Sequence, residues 1–198
     1  MDPGARAALY ERVFAAAVAA HERARRRDTA PLFEAAAAIV KAVKAGGKVL
    51  VFGNGGSAAD AQHVAAELVG RLERERGAIA AVALSSDSSI LTAVANDYGF
   101  ERVFARQVEA LGAPGDVFVA ISTSGRSANI LRAIEAARAR SLRVVGFTGE
   151  NGGEMAALCD FCLQVPSAET PRIQEGHSVL GHLLCALVEQ GMYGDAAR

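Results

Sequence analysis

The chain has 198 residues, 51% hydrophobic and 22% charged, with 21 Lys and Arg against 22 Asp and Glu. That length supports one well-buried core, while the balanced charge and the 6% aromatics without Trp argue against a nucleic-acid groove or a base-stacking platform. Three Cys are too few for a disulfide framework, no run approaches the roughly 20 apolar residues of a membrane span, and the first 27 residues lack an apolar signal core, so a cytoplasmic protein is expected.

Residues 5–27 and 30–45 read as two Ala-rich helices with apolar residues at helical spacing: Leu9, Val13, Phe14 and Val18, then Leu32, Phe33, Ile39, Val40 and Val43. Gly46-Gly47 ends the second. From there apolar runs alternate with helical patterns. Strands are expected at 48–52, 80–84, 116–121, 143–147 and 161–165. Helices are expected at 57–73, 88–96, 100–111, 127–140 and 152–158, with a long closing helix over 173–192. Alternation of this kind predicts an α/β fold: a five-stranded, mainly parallel sheet between layers of helices. No internal domain boundary is visible, so residues 1–198 read as one domain with 1–45 as a helical extension.

Two loops carry the chemistry. Gly53-Asn54-Gly55-Gly56-Ser57 follows the first strand and opens a helix, where free N–H groups and the helix dipole favour an anion. Ser57 with Asp60 also fits a helix-capping arrangement. Gly53, Gly55 and Ala58 match the dinucleotide fingerprint, but the acid it requires near the end of the second strand is missing, since Asp87 comes too late. Ser122-Thr123-Ser124-Gly125-Arg126-Ser127 follows the third strand. Hydroxyls at the carboxyl end of a parallel strand suit a phosphate monoester, and Ser127 would otherwise be an N-cap.

His63 and Glu67 lie four apart on one helix face, where they could share a metal or act as an acid/base pair. His182 sits among Val179, Leu180, Leu183 and Leu184, which predicts a buried imidazole. Gln174 is eight residues before it, about 12 Å along a straight helix. Both could reach one metal only by leaning together, or with one of them supplied by a neighbouring subunit. Cys159-x-x-Cys162 stands alone and reads as structural.

The segment Gly53-Asn-Gly-Gly-Ser-Ala-Ala-Asp60, with Gln62, His63 and Glu67, resembles the phosphosugar-binding SIS (sugar isomerase) fold. Within it, the likeness is to the sedoheptulose-7-phosphate isomerases, also called phosphoheptose isomerases. Ala95-Asn-Asp-Tyr-Gly-Phe100, Gln107, Gly115-Asp-Val117, Ile121-Ser-Thr-Ser-Gly125, Gly146-Phe-Thr-Gly149, Gly152-Gly153-Glu154, Arg172-Ile-Gln-Glu175 and His182 extend it over nearly the whole chain. The resemblance implies a flavodoxin-like SIS sheet and a homotetramer with active sites between subunits. It implies an enediol isomerase interconverting D-sedoheptulose 7-phosphate and D-glycero-D-manno-heptose 7-phosphate for lipopolysaccharide or related glycans. Zinc, one per subunit, would be held by His63, Glu67, Gln174 and His182. Substrate contacts would fall on Asn54, Gly55, Gly56, Ser57, Asn96, Asp97, Ser122, Thr123, Ser124, Ser127 and Gln174, and catalysis on Glu67 and His182. A replication-initiator-binding relative, or another non-catalytic phosphosugar binder, is the alternative; that relative lacks the counterparts of Glu67 and His182.

Overall fold

The structure is a computed structural model and describes residues 2–194. Helix α1 (Pro3–Arg25) and helix α2 (Ala30–Lys44) precede β1 (Val49–Gly53). There follow α3 (Gly56–Val69), β2 (Ala81–Ala83), α4 (Ser88–Tyr98), α5 (Ala105–Leu111), β3 (Val117–Ile121), α6 (Ala128–Ala139), β4 (Arg143–Thr148), β5 (Phe161–Gln164) and α7 (Thr170–Tyr193). All four strand pairings are parallel and the strand order is β2-β1-β3-β4-β5. That is the flavodoxin-like order, whose reversal point lies between β1 and β3. The two polar loops leave the carboxyl ends of those two neighbouring strands.

Strand periodicity divides the core. Val49 and Val51 of β1, with Val117, Val119 and Ile121 of β3, face α2, α3 and α7. Leu50, Phe52, Phe118 and Ala120 point the other way, toward α5 and α6. Both faces are covered, which is why the strands read as continuous apolar runs.

Several expectations are corrected. The helix expected at 152–158 is a single 3₁₀ turn at 155–157, because Gly152 and Gly153 take positive φ of 67° and 57°. The helix expected at 100–111 is a 3₁₀ turn at 100–102 followed by α5, separated after Gly99 at φ 89° from α4. The helix expected over 57–73 stops at Val69. The apolar residues of α1 are not core: Leu9, Val13, Phe14 and Val18 are 41%, 40%, 55% and 62% exposed, and among the residues of α1 only Ala20 is buried.

The imidazole expected to be buried, that of His182, is at the surface. The face that α7 turns inward runs through Ile173, Gly176, His177, Gly181, Leu184, Cys185 and Val188, a three-and-four spacing that leaves His182 outside. His177 is buried, and its Nε2 donates to the Thr148 carbonyl at 3.2 Å. Burial drives its pKa down to about 4, only partly offset by that hydrogen bond. The folded chain therefore holds His177 neutral where an unfolded one, titrating near 6.5, takes up a proton. Stability conferred by His177 is complete above that value and falls as pH drops toward about 4, by up to about 3 kcal/mol. Denaturant midpoints measured across this window should decline with acidity, and His177→Gln should remove that part of the slope.

Candidate active site

Helix α3 starts at the glycine loop because Gly55, with φ 56°, turns the chain from β1 into the helix. Gly55 is the N-cap, and no side chain caps this helix. Ser57 is instead buried inside the first turn, so the expected Ser57 cap is absent. Asn54 exchanges two hydrogen bonds of 2.8 Å with the buried Asn129 of α6. This amide pair ties the glycine loop to the helix that follows the serine loop. Asn129 was not singled out by sequence reasoning, since an Asn inside a helix carries no signal until its partner across the sheet is known.

The serine loop is stiff. Gly125 N–H donates to the Ser122 hydroxyl and Arg126 N–H to the Ser124 hydroxyl, both at 3.2 Å. The hydroxyls of Ser122 and Ser127 lie 3.4 Å apart, and Ser127 makes no side-chain cap. Thr123 accepts from Gly149 N–H at 3.1 Å. A second loop clamps it from outside: a Cβ on Gly125 would strike the Gly152 carbonyl, and one on Gly153 would lie 2.5 Å from the carbonyls of Ser124 and Gly125. Asn96 and Asp97, in the last turns of α4, are exposed and bonded to each other at 2.7 Å.

His63, Glu67 and His182 meet within one chain. His63 Nε2 lies 3.1 Å from Glu67 Oε1 and 3.3 Å from His182 Nε2, with the two rings edge to face. One donor atom from each of the three lies within 4.8 Å of the others. A tetrahedral zinc site with bonds of about 2.05 Å has donor–donor edges of about 3.3 Å, so this donor set fits such an ion and leaves a position open. Beside them, Asp60 receives the Ser178 hydroxyl at 3.2 Å, while its other carboxylate oxygen is buried without a partner. Burial raises the Asp60 pKa against the opposing pull of that hydrogen bond and of His63. Sequence reasoning treated Asp60 only as a cap; its signal was the spacing 60, 63, 67 on one helix face.

Gln174, at the start of α7, lays its carboxamide against Gly56, where any Cβ would collide with it. His63 and Glu67 stand about 10 and 16 Å along α3 from Gly56. One chain therefore presents its polar loops at one end of α3 and its imidazole–carboxylate cluster farther along.

The SIS domain family model matches residues 13–149. The chain belongs to the SIS-domain family. A phosphoheptose isomerase of Rhodospirillum rubrum is 57% identical over 166 residues, covering 83% of this chain and 88% of that one. The phosphoheptose isomerase structure from Neisseria gonorrhoeae aligns with a TM-score of 0.86 at 46% identity, over 92% of this chain and 99% of that one. The one from Francisella tularensis gives 0.89 at 38% identity, over 96% and 100%. Within the SIS family, this chain groups with the phosphoheptose isomerases.

Gly125→Ala should leave a folded chain whose serine loop is pushed off the 149–153 loop. Its melting temperature should fall, and KM for a phosphosugar should rise more than kcat falls, measurable by thermal denaturation and steady-state kinetics.

Proposed function

We propose that the chain is an aldose–ketose isomerase that interconverts D-sedoheptulose 7-phosphate and D-glycero-D-manno-heptose 7-phosphate, in heptose precursor biosynthesis for lipopolysaccharide or related glycans. The observation that carries the reading is the convergence of Glu67 and His182, from separate helices, on one imidazole–carboxylate cluster. A non-catalytic phosphosugar binder or initiator-binding protein has no use for that convergence, and high identity to phosphoheptose isomerases disfavours it. We take residues 1–198 as one SIS domain with 1–45 as its helical extension.

Isomerisation moves a proton between C1 and C2 through an enediol. Glu67 takes the proton from C1 of the ketose and returns it at C2. His182 carries the proton between the two oxygens, which limits the charge that builds on either. The serine loop, with Asn54, Gly55, Gly56 and Ser57, grips the phosphate and spends binding energy on aiming the reacting end. Asn96, Asp97 and Gln174 contact sugar hydroxyls. Zinc, one per subunit, would be held by His63, Glu67 and His182, with Gln174 of a neighbouring copy as the further donor, since within one chain Gln174 lies against Gly56; when bound it would polarise the carbonyl and stabilise the enediolate.

Active sites between copies of a homotetramer complete this reading. The span from loop to cluster along α3 is long for a seven-carbon sugar phosphate. Val179 and Leu183 leave 43% and 46% of their surface open beside His182, and the apolar residues of α1 are likewise bare. Apolar surface of that extent fits a face covered by another copy. Cytoplasmic residence fits three free cysteines, and no helix among the described residues is long and apolar enough to cross a membrane.

Glu67→Gln and His182→Gln should each lower kcat by about 10²–10⁴ with the fold intact. In deuterated water the wild type should place deuterium on the isomerised carbon, and a chain that isomerises without any exchange overturns the enediol route. Chelation should remove activity and added zinc restore it. Dilution to monomer should abolish turnover, and a fully active monomer sinks the interface site.

A further inference from the structure

We propose that the buried Arg76–Glu189 pair is a positioning device for the His63–Glu67–His182 cluster, locking the carboxyl end of α3 against α7 in a single register. The proposal rests on reading that cluster as the catalytic centre.

Helix α3 ends with unmet carbonyls and has no basic residue in its last turn. Arg76, beyond the helix on the loop to β2, supplies what is missing. Its Nη2 donates to the carbonyl of Glu67 itself at 2.6 Å. Its Nη1 lies 2.7 Å from the Leu68 carbonyl and 2.9 Å from that of Gly70. Nε donates to Glu189 Oε1 at 2.9 Å. Glu189 also accepts from Leu72 N–H at 3.0 Å and Glu73 N–H at 3.4 Å. Both side chains are almost completely enclosed, at 2% and 3% exposure. Glu189 is two turns beyond His182 on α7, about 10 Å along the axis.

One ion pair thus grips the backbone of a cluster residue on one helix and is anchored to the helix that carries another. The two helices run parallel, and their other ties lie nearer the start of α3. Ser178 bonds Asp60, and Gly181 faces Val64. The pair closes the remaining end.

Stability alone is a weak reason to bury these charges. Desolvation generally consumes most of what a buried ion pair returns, and well-packed apolar replacements are often as stable. What a guanidinium fork provides is direction: several hydrogen bonds satisfied in one geometry and in no other. Acid/base and metal-ligating groups need that, since a displacement of about 1 Å can cost about 10² in rate.

The test is the full-length double variant Arg76→Met/Glu189→Met, with melting temperature, zinc affinity by chelator competition, and kinetics on sedoheptulose 7-phosphate. Melting should stay within a few degrees of wild type and KM within about threefold. Zinc affinity and kcat should each fall about 10–100-fold, as for outer partners of a ligand set. A folded double variant with wild-type kcat and zinc affinity overturns the proposal. Should the double variant not fold, Glu189→Gln keeps the shape and the acceptor for Leu72 N–H; it should lower kcat about tenfold at unchanged KM, and unchanged kcat overturns the proposal. The exchange Arg76→Glu/Glu189→Arg should not rescue, because a carboxylate at 76 cannot donate to the α3 carbonyls; full recovery overturns the proposal. A wild type that isomerises without holding zinc defeats the metal reading, and kcat then decides this one alone.

Discussion

The close parallel approach of α3 and α7 is the constraint on which the site depends. Gly181 makes it possible, since a Cβ there would already stand 3.0 Å from a Val64 methyl. At that separation His182 reaches across to His63, and Cys185 packs over the Val64 carbonyl at 3.9 Å. A wider gap would leave two histidines on two helices with no shared chemistry. The same closeness explains why small and apolar residues dominate the inward face of α7, and why its imidazoles serve opposite ends. His177 is sacrificed to packing and kept neutral, while His182 stays at the surface.

The loops obey a different rule. They need backbone conformations that side chains forbid, so glycines cluster where β1, β3 and β4 end. Gly125 presses on the Gly152 carbonyl and Gly153 on the carbonyls of Ser124 and Gly125, and the serine hydroxyls bond the backbone of their own loop. The Asn54–Asn129 amide pair then couples the serine-loop helix to the glycine loop. On the proposed reading, a phosphate in this region would meet groups already held in place, which would aim the rest of a substrate.

The Arg76–Glu189 pair is a buried charge that is well met. Burial alone would raise the Glu189 carboxyl, but two backbone N–H groups and Arg76 outweigh it and hold the pKa below the usual glutamate value. Asp60 is the contrast: one oxygen has a partner, the other none, and burial wins. Asp60 lines the hollow shared with His63, Glu67 and His182.

Much of the fold was legible in the order of residues. Apolar runs marked the five strands, and both polar loops stood out by composition at strand ends. His63 and Glu67 were legible because four residues is the pitch of a helix face. What needed three dimensions was anything that depends on a partner distant in sequence: the pairing of Asn54 with Asn129, the grip of Arg76 on the Glu67 carbonyl, and the meeting of His182 with His63. Local composition along α7 misled, because the apolar residues Val179, Leu180, Leu183 and Leu184 surround His182 while His177 stands between Gly176 and Ser178. The close packing of Gly176 on Val165, Gly181 on Val64 and Gly191 on Val40 fixes the rotation of that helix, and with it which imidazole faces the core and which one faces the cluster.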